Sequence, residues 1–456
     1  MKKIVVKIGG SNLKTRDDIQ KIIQVVKNYN RPLVIVVSAF FGVTDYLIKG
    51  IKMVQDSADH IITMQEFIRD LKASTIEANI SDETRKVELY NKIDERLGDL
   101  ERYLKGIHYI GDVPDFVEDV ILSYGEKLSS LMLSGILNAE GIETEEKLPE
   151  DIGFYTDGEF QNGTVDFQLS EKSVSRALSA EKVFVVPGFY GISREGKVTL
   201  LGRGGSDYSA ASFARCLGAE SLDIWKDVHG YMSADPKLVD DPKRIKKLSY
   251  REAAELSYFG AKILHPRTVE PLMDRNIPVR IFNINEDNPD ITPLSVIDSD
   301  TVISENVVKS VTYSDNFAVL KLSGPGVGIK PGVLGNISTI LDTHGINIKS
   351  VVTSQTCINI YLDQADLKES VRVIKKSDLP TIQEITPLDN LSVVAIVGEG
   401  ILSNHGLAFK MLQAINRKEI NARIISAGAS EVAAYIVVDA KNRDLAIRVI
   451  HDEFFA

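Results

Sequence analysis

Over the first 300 residues, continuous apolar runs recur at intervals, and each stops at Gly, Ser, Asp or Asn. They read "KKIVVKIGG", "PLVIVVSAF", "KVFVVPGFYG", "SLDIWKDVHG" and "IPVRIFN". Unbroken rather than alternating hydrophobicity predicts strands buried on both faces, hence a largely parallel sheet covered by helices. In such sheets ligands bind beyond the carboxyl ends of the strands, where the glycines of these runs lie. From Met53 to Leu133 the pattern changes to long helical segments with no strand-like run. "SDETRKVELYNKIDERLGDLERYLKGI" repeats its apolar residues at helical spacing, with Ser81–Asp82 placed to cap its start. This stretch reads as a helical insertion whose task is packing.

The segment "NEDNPDITPLSVIDSD", Asn285 to Asp300, is polar and acidic with two prolines and reads as a domain linker. Beyond it the chain nearly repeats itself. "FAVLKLSGPGVGIKPGVLGNISTILDTHGINIKSVVTSQTCINIYLD" parallels "LSVVAIVGEGILSNHGLAFKMLQAINRKEINARIISAGASEVAAYIVVD". Each copy predicts a strand, a glycine loop, an amphipathic helix, two strands and a further helix, which suits a βαββαβ module. An extra strand, "VVKSVTYS", precedes the first copy, and the second copy ends without a closing strand. Val307–Ser314 is therefore expected to complete the second module, interleaving the two. The expected domains are 1–300, 301–385 and 386–456, with the insertion at about 53–133.

Composition adds constraints. With 456 residues, two or three domains are expected. The net charge of −11, without a basic tract, argues against a nucleic-acid partner, and requires any phosphate site to be basic locally. No apolar run is long enough to span a bilayer. The N-terminal apolar run is broken by Lys7 and lacks a cleavage site, so it reads as a first strand, and a cytoplasmic location is expected. The two cysteines, Cys216 and Cys357, fall in unrelated patterns and offer neither a disulfide framework nor metal-ligand spacing.

There is no G-x-x-x-x-G-K-[ST], no H-E-x-x-H and no G-x-S-x-G, so phosphate-loop, zinc-hydrolase and triad chemistries lack their signatures. What remains is a set of strand-end turns. "KIGGSN" supplies Lys7, Gly9, Gly10 and Ser11, whose backbone N–H groups and ammonium suit phosphate oxygens. "SAFFGVTD" places Ser38 and Thr44 on the next turn. "GRGGSDYSAA" combines Arg203, a fork for a carboxylate or phosphate, with Ser206 and Asp207 at a helix start. "WKDVHGYMSADPK" and "FGAKILHPRTVEPL" add Asp227, Asp235, Lys237 and Lys262 on loops.

Taken in this order, with "SYGEK", "GFYG" and a duplicated module of ACT type, these motifs resemble the aspartokinase family over essentially the whole chain. The resemblance implies an amino-acid-kinase fold, an α/β sandwich with a mainly parallel sheet, followed by two ferredoxin-like ACT domains. It implies transfer of the γ-phosphoryl of ATP, with Mg²⁺ bridging phosphate oxygens, to the β-carboxylate of L-aspartate. That is the first step toward lysine, threonine, methionine and isoleucine. On the same basis Arg203 grips the α-carboxylate and Glu126 of "SYGEK" takes the ammonium. Ser38, Thr44, Phe189 and Ser206 line the pocket, Lys7 stabilises the phosphoryl group in transfer, and Asp207 orients Lys7. Lys226, Asp227, Met232, Asp235, Lys237 and Lys262, with Lys7, Gly9, Gly10 and Ser11, fall to the nucleotide.

Two departures from the family pattern matter. The first motif ends in Ser11–Asn12, and Lys226 stands where threonine is common, reaching nucleotide phosphate or facing solvent. The ACT modules imply an amino-acid effector and a homodimer or larger homo-oligomer formed through them. The effector positions carried over are Val327, Lys330, Gly332, Val333, Leu334, Lys349, Thr353 and Ser354. Lysine-inhibited relatives often carry an acidic residue where Lys349 stands, and two lysines, Lys330 and Lys349, would repel a cationic effector. Threonine inhibition, or none, stays open beside lysine.

Overall fold

Ile-Val-Val-Lys-Ile and Leu-Val-Ile-Val-Val are buried at every position, which a strand tolerates only when both sheet faces are covered. In the computed structural model they form β1 (Ile4–Ile8) and β2 (Leu33–Val37), paired in parallel. Residues 2–303, 307–377 and 379–455 are described. After β3 (Thr144–Glu146) and β4 (Val183–Pro187) comes a separate hairpin, β5 (Tyr190–Ile192) and β6 (Val198–Leu200). β7 (Ser221–Lys226), β8 (Lys247–Ser249), β9 (Val279–Asn283) and β10 (Ser295–Asp298) complete an eight-stranded sheet ordered β3-β4-β2-β1-β7-β9-β10-β8. From β3 to β9 every pairing in that order is parallel, and β10 runs antiparallel to β9.

β10 corrects the linker reading of Asn285–Asp300, because its second half is a strand of this sheet. Ser295 and Ile297 are buried while Val296 and Asp298 are partly exposed, the period of an edge-side strand. The Ser295 hydroxyl donates to the Ile245 carbonyl and accepts from the Tyr231 amide, so a polar residue is satisfied inside the fold. Acidic composition and two prolines concealed it.

Helix α1 (Arg16–Tyr29) opens with a capping box in which Thr15 and Asp18 satisfy each other's backbone amides. The expected helical stretch is α2 (Val43–Asp56), α3 (Asp59–Asn79), α4 (Glu83–Ile110) and α5 (Asp115–Ala139). Asp82 caps α4 through the amides of Thr84 and Arg85. These helices share a continuous apolar core with β1, β2 and β4. Helix α6 (Gly205–Leu217) follows the "GRGG" turn. No described helix is long and apolar enough to cross a membrane.

By internal contacts the chain forms two units. One comprises the chain to Tyr231 with Arg244–Ala254 and Lys262–Val302, and the other Met232–Lys243, Glu255–Ala261 and the chain from Ile303. In the second unit, β12 (Ala318–Ser323), α7 (Val333–Thr343), β13 (Ser350–Thr353), β14 (Cys357–Leu362), α8 (Leu367–Lys376) and β15 (Glu384–Leu388) form one module, with sheet order β13-β14-β12-β15. The other module uses β16 (Leu391–Val397), α9 (Leu407–Asn416), β17 (Ile424–Ala427), β18 (Ala433–Asp439) and α10 (Arg443–Phe455). Its fourth strand is β11 (Ser310–Ser314), which lies upstream of both repeats and pairs antiparallel with β16. The sheet order β11-β16-β18-β17 therefore matches that of its twin.

Candidate active site

Lys7 sits near the carboxyl end of β1 with only 4% of its surface exposed. A buried ammonium needs a counter-charge. Asp207, in the first turn of α6, supplies one at 2.8 Å. Strand β7 lies beside β1, and its last residue, Lys226, reaches the other oxygen of the same carboxylate at 2.9 Å. The Lys226 ammonium also donates to the Ile263 carbonyl at 2.6 Å. Lys226 therefore neither faces solvent nor points out alone; it shares an anion with Lys7. Burial works against the Asp207 charge, but Lys226 and Lys7 together hold its carboxyl well below the usual range. Burial lowers the Lys7 pKa, Asp207 opposes that shift, and Lys226 adds to it. One carboxylate thus holds two cations side by side at the ends of adjacent strands, which ready-made positive potential suits an incoming phosphate.

Close backbone approach shapes the space around this cluster. A Cβ on Gly10 would lie 2.5 Å from the Ala39 carbonyl oxygen, so only glycine lets the turn after β1 meet the turn after β2. Gly204 has φ +74°, and a Cβ there would fall 2.4 Å from the His265 ring. Phe189 also has positive φ, 74°, rare for an aromatic residue. Its amide donates to the Ser209 hydroxyl and its carbonyl accepts from the Leu201 amide, which fixes the strained turn.

These turns enclose a cleft of about 710 Å³ lined by Lys7, Gly10, Ser11, Ser38, Thr44, Glu126, Phe189, Arg203, Ser206 and Asp207. All six positions assigned to the acid substrate, and part of those assigned to the nucleotide, meet here. Arg203 is exposed to the cleft and makes no ion pair or hydrogen bond among the described residues. Its guanidinium is free for an anion. Glu126 is 3% exposed, accepts from the Ser206 hydroxyl at 3.4 Å, and leaves its second oxygen unpartnered. Burial pushes its pKa up to about 8, against the backbone of Ala39 and more distant Lys7. Gly9 flanks the cleft, where a Cβ would touch the Lys7 ammonium at 3.4 Å.

Other assigned residues lie elsewhere. Asp227 accepts from Asn285, and Lys262 is exposed. Met232, Asp235 and Lys237 fold with the second unit, where Asp235 accepts from the Lys237 amide and the Tyr313 hydroxyl. Among the effector positions, Val327 and Val333 are buried in the core of the first module, so their side chains serve packing. Gly332 caps α7 at φ +84°, and Lys330, Leu334, Thr353 and Ser354 are exposed. Lys349 corrects the repulsion argument. Its ammonium is 2.5 Å from Asp363 and donates to the Asn316 carbonyl, so its charge is already balanced.

Two residues that motif reading passed over brace the cleft. Asp119, buried in α5, accepts from the Gln161 amide at 3.0 Å and the Leu200 amide at 2.8 Å, both residues lining the cleft. It lies seven residues before Glu126, two helical turns along the same face. Arg267 donates to the carbonyls of Leu201 and Gly163 and stacks on Tyr208. An arginine inside "HPRTVEP" was the available signal.

A doubly covered sheet with anion-ready groups at its strand ends is the architecture of small-molecule phosphotransferases. The chain belongs to the amino acid kinase family, whose model matches residues 2–283, and residues 394–454 match an ACT domain. It is 33% identical over 371 residues to a bifunctional aspartokinase/homoserine dehydrogenase of Haemophilus influenzae, covering 80% of this chain and 45% of that protein. The chain thus spans about half the length of that relative. It is 29% identical to the chloroplastic aspartokinase 2 of Arabidopsis thaliana, covering 99% of this chain and 84% of that one. E. coli aspartokinase III, solved in complex with aspartate and ADP, has the same fold, with TM-score 0.81 at 23% identity over 99% of this chain and all of that one.

Proposed function

We propose that this chain is an aspartate kinase, transferring the γ-phosphoryl group of ATP to the β-carboxylate of L-aspartate to give 4-phospho-L-aspartate. The observation that carries the reading is the cleft itself. The Lys7–Asp207 pair, joined from outside the lining by Lys226, shares one space with the unpartnered Arg203 and the buried Glu126. The nucleophile is a carboxylate, ionised at neutral pH, so no general base is needed; the obstacle is bringing one anion against another. Positioning and positive charge therefore supply the catalysis. Arg203 takes the α-carboxylate, Glu126 the α-ammonium, and Ser38, Thr44, Ser206 and the backbone at Phe189 set the acceptor's orientation. Lys7 meets the charge that grows on the phosphoryl oxygens, and Asp207 fixes its direction. Lys226 keeps Asp207 ionised and, by exchanging partners, can follow the nucleotide's phosphates.

Among the described residues no group of three or more His, Cys, Asp or Glu side chains could hold a metal, and Asp207 is engaged by two lysines. A Mg²⁺ ion fits this site as part of the nucleotide, where it neutralises phosphate charge. An acceptor with a blocked amine, such as an N-acyl amino acid, would leave Glu126 without a partner, which favours a free amino acid.

The test is ATP consumption with L-aspartate plus hydroxylamine, which traps an acyl phosphate as a hydroxamate. Formation with aspartate and not with N-acetylglutamate or glutamate supports the reading; no aspartate-dependent hydroxamate refutes it. Repeating the assay with lysine, threonine and methionine identifies the effector of the ACT modules. The Lys349–Asp363 pair removes half of the electrostatic objection to lysine, so lysine stays open beside threonine or no effector. We place homodimerisation on the ACT modules, whose edge strands β13 and β17 carry exposed Val352 and Ile425. The reaction, drawing on ATP at the head of amino-acid synthesis, is placed in the cytoplasm.

A further inference from the structure

Helix α3 carries a charge that packing alone does not require. Its buried positions include Ile61, Met64, Ile68, Lys72 and Ile76, so a lysine occupies a core position in an apolar stripe. Lys72 is 0% exposed, and its ammonium has no hydrogen-bond partner among the described residues. The nitrogen rests 3.6 Å from the centroid of the Phe40 ring. A buried, unpaired amine opposes folding, and methionine would fill the same volume without that cost.

Phe40 belongs to the turn after β2 and lines the cleft. Its amide donates to the Ser129 hydroxyl, one turn beyond Glu126 on α5. The preceding residue, Ala39, packs against the turn of α5 that carries Glu126, where a Cβ on Gly125 would lie 2.8 Å from the Ala39 Cβ, and its backbone favours the charged form of Glu126. Consecutive residues of one turn thus touch a buried base lacking a partner and a buried acid with one oxygen unpartnered. We infer that Lys72 is a positioning residue for the acceptor pocket. From the helical insertion it supplies, against the Phe40 ring, the buried positive charge that keeps Glu126 a carboxylate for the substrate's ammonium. This rests on the aspartate-kinase reading and extends it to a segment otherwise explained by packing.

The electrostatics agree in direction. Burial lowers the Lys72 pKa and the Glu126 carboxylate opposes that shift; burial raises the Glu126 pKa, against the Ala39 backbone and Lys7. A carboxylate on Glu126 favours the ammonium of Lys72, and the attraction between opposite charges is mutual. Lys7 also acts on Glu126, so removing Lys72 weakens the carboxylate without abolishing it.

The test is Lys72→Met in the full chain, with Lys72→Gln as a second uncharged variant, assayed by hydroxamate formation and thermal melting. The expected result is a higher melting temperature for Lys72→Met, since an unpaired buried amine is gone. The KM for aspartate should rise about tenfold, the effect of one further pKa unit on Glu126. The KM for ATP and kcat should stay within about twofold. An unmoved aspartate KM in a folded variant overturns the inference. So does a fall of kcat and melting temperature with a rise in both KM values, or failure of both variants to fold, each of which marks Lys72 as structural. If the wild-type chain gives no aspartate-dependent hydroxamate, the substrate reading itself fails and takes this inference with it; a normal wild type with an unmoved variant refutes the inference alone.

Discussion

At the scale of single residues, the site divides cations by their partners. Lys7 already has its carboxylate, whereas Arg203 waits for one. Arg203→Ala should therefore raise the KM for aspartate ten- to a hundredfold, the roughly 1.5–3 kcal/mol of a lost charged hydrogen bond, with a smaller change in kcat. Lys7→Ala should do the reverse, lowering kcat by at least about a hundredfold while aspartate still binds; steady-state kinetics separates the two, and intact turnover in Lys7→Ala would remove its assigned role. Glu126 adds a pH signature. Its carboxyl titrates near 8, so kcat/KM for aspartate should climb through pH 8 as the ammonium-binding carboxylate forms, and Glu126→Gln should flatten that limb at a low value. Stability moves the opposite way. A carboxyl raised from the ordinary 4.5 binds more protons folded than unfolded, so its contribution declines as pH rises from 4.5 to 8. Asp207, held below the ordinary 3.8, keeps its contribution above that value and loses it only in stronger acid. Residue chemistry of this kind was half legible in the sequence. Lys7 and Asp207 were marked by glycine turns, but nothing local says that Lys226 bends onto Asp207, because that contact joins the end of β7 to the first turn of α6, 19 positions earlier.

At the scale of elements, the legible features were those fixed by burial on two faces or by backbone contact. β1, β2, β4, β7 and β9 follow from unbroken apolar runs, and Gly10 and Gly204 from glycine turns that a neighbour approaches closely, the Ala39 carbonyl at one and the His265 ring at the other. β10 was hidden because four residues of mixed polarity carry too short a period, and its hydrogen bonds come from distant segments. Lys72 was hidden differently: the stripe of α3 is easy to draw with lysine read as an exposed residue, and only the packed helices show it inside. Asp119 has the same character, since a carboxylate in a helix interior looks solvated until the amides of Gln161 and Leu200 are found on it. The contact between the first two turns gives a sharp test. Gly10→Ala drives a methyl to 2.5 Å from the Ala39 carbonyl, and backbone on both sides leaves little room to yield. It should cost roughly 1–3 kcal/mol of stability by overpacking and at least about tenfold in kcat/KM through displaced Lys7 and Ser38. Gly9→Ala, whose methyl meets the Lys7 ammonium at 3.4 Å and the Ser11 hydroxyl at 3.8 Å and no backbone, should melt near wild type.

At the scale of the molecule, the order of the chain and the order of the sheets disagree, and the disagreement has mechanical consequences. The second repeat supplies three strands, and β11, from before the first repeat, fills the remaining edge by pairing Val311 with Ile396 and Thr312 with Ala395. A count of strands along the sequence already left one module short and one strand spare, so this part of the architecture rests on bookkeeping of periodic segments rather than on any motif. Because the first repeat is threaded between β11 and β16, neither module can be lost by a simple cut. Val311 is 1% exposed in a core shared with Val394, Ile396, Met411 and Ile447. An aspartate there buries an unpaired charge, at a cost on the order of 3 kcal/mol. The damage should skip the neighbouring sequence. In Val311→Asp, hydrogen exchange should quicken in β16 and β18, 80 to 128 residues downstream as counted from Val311 to Leu391 and Asp439, while β12, β14 and β15, nearer in the chain, keep their protection. Uniform loss across both sheets would mean that the two modules unfold as one, and an effector signal received in either would then reach the rest of the chain through a single cooperative body.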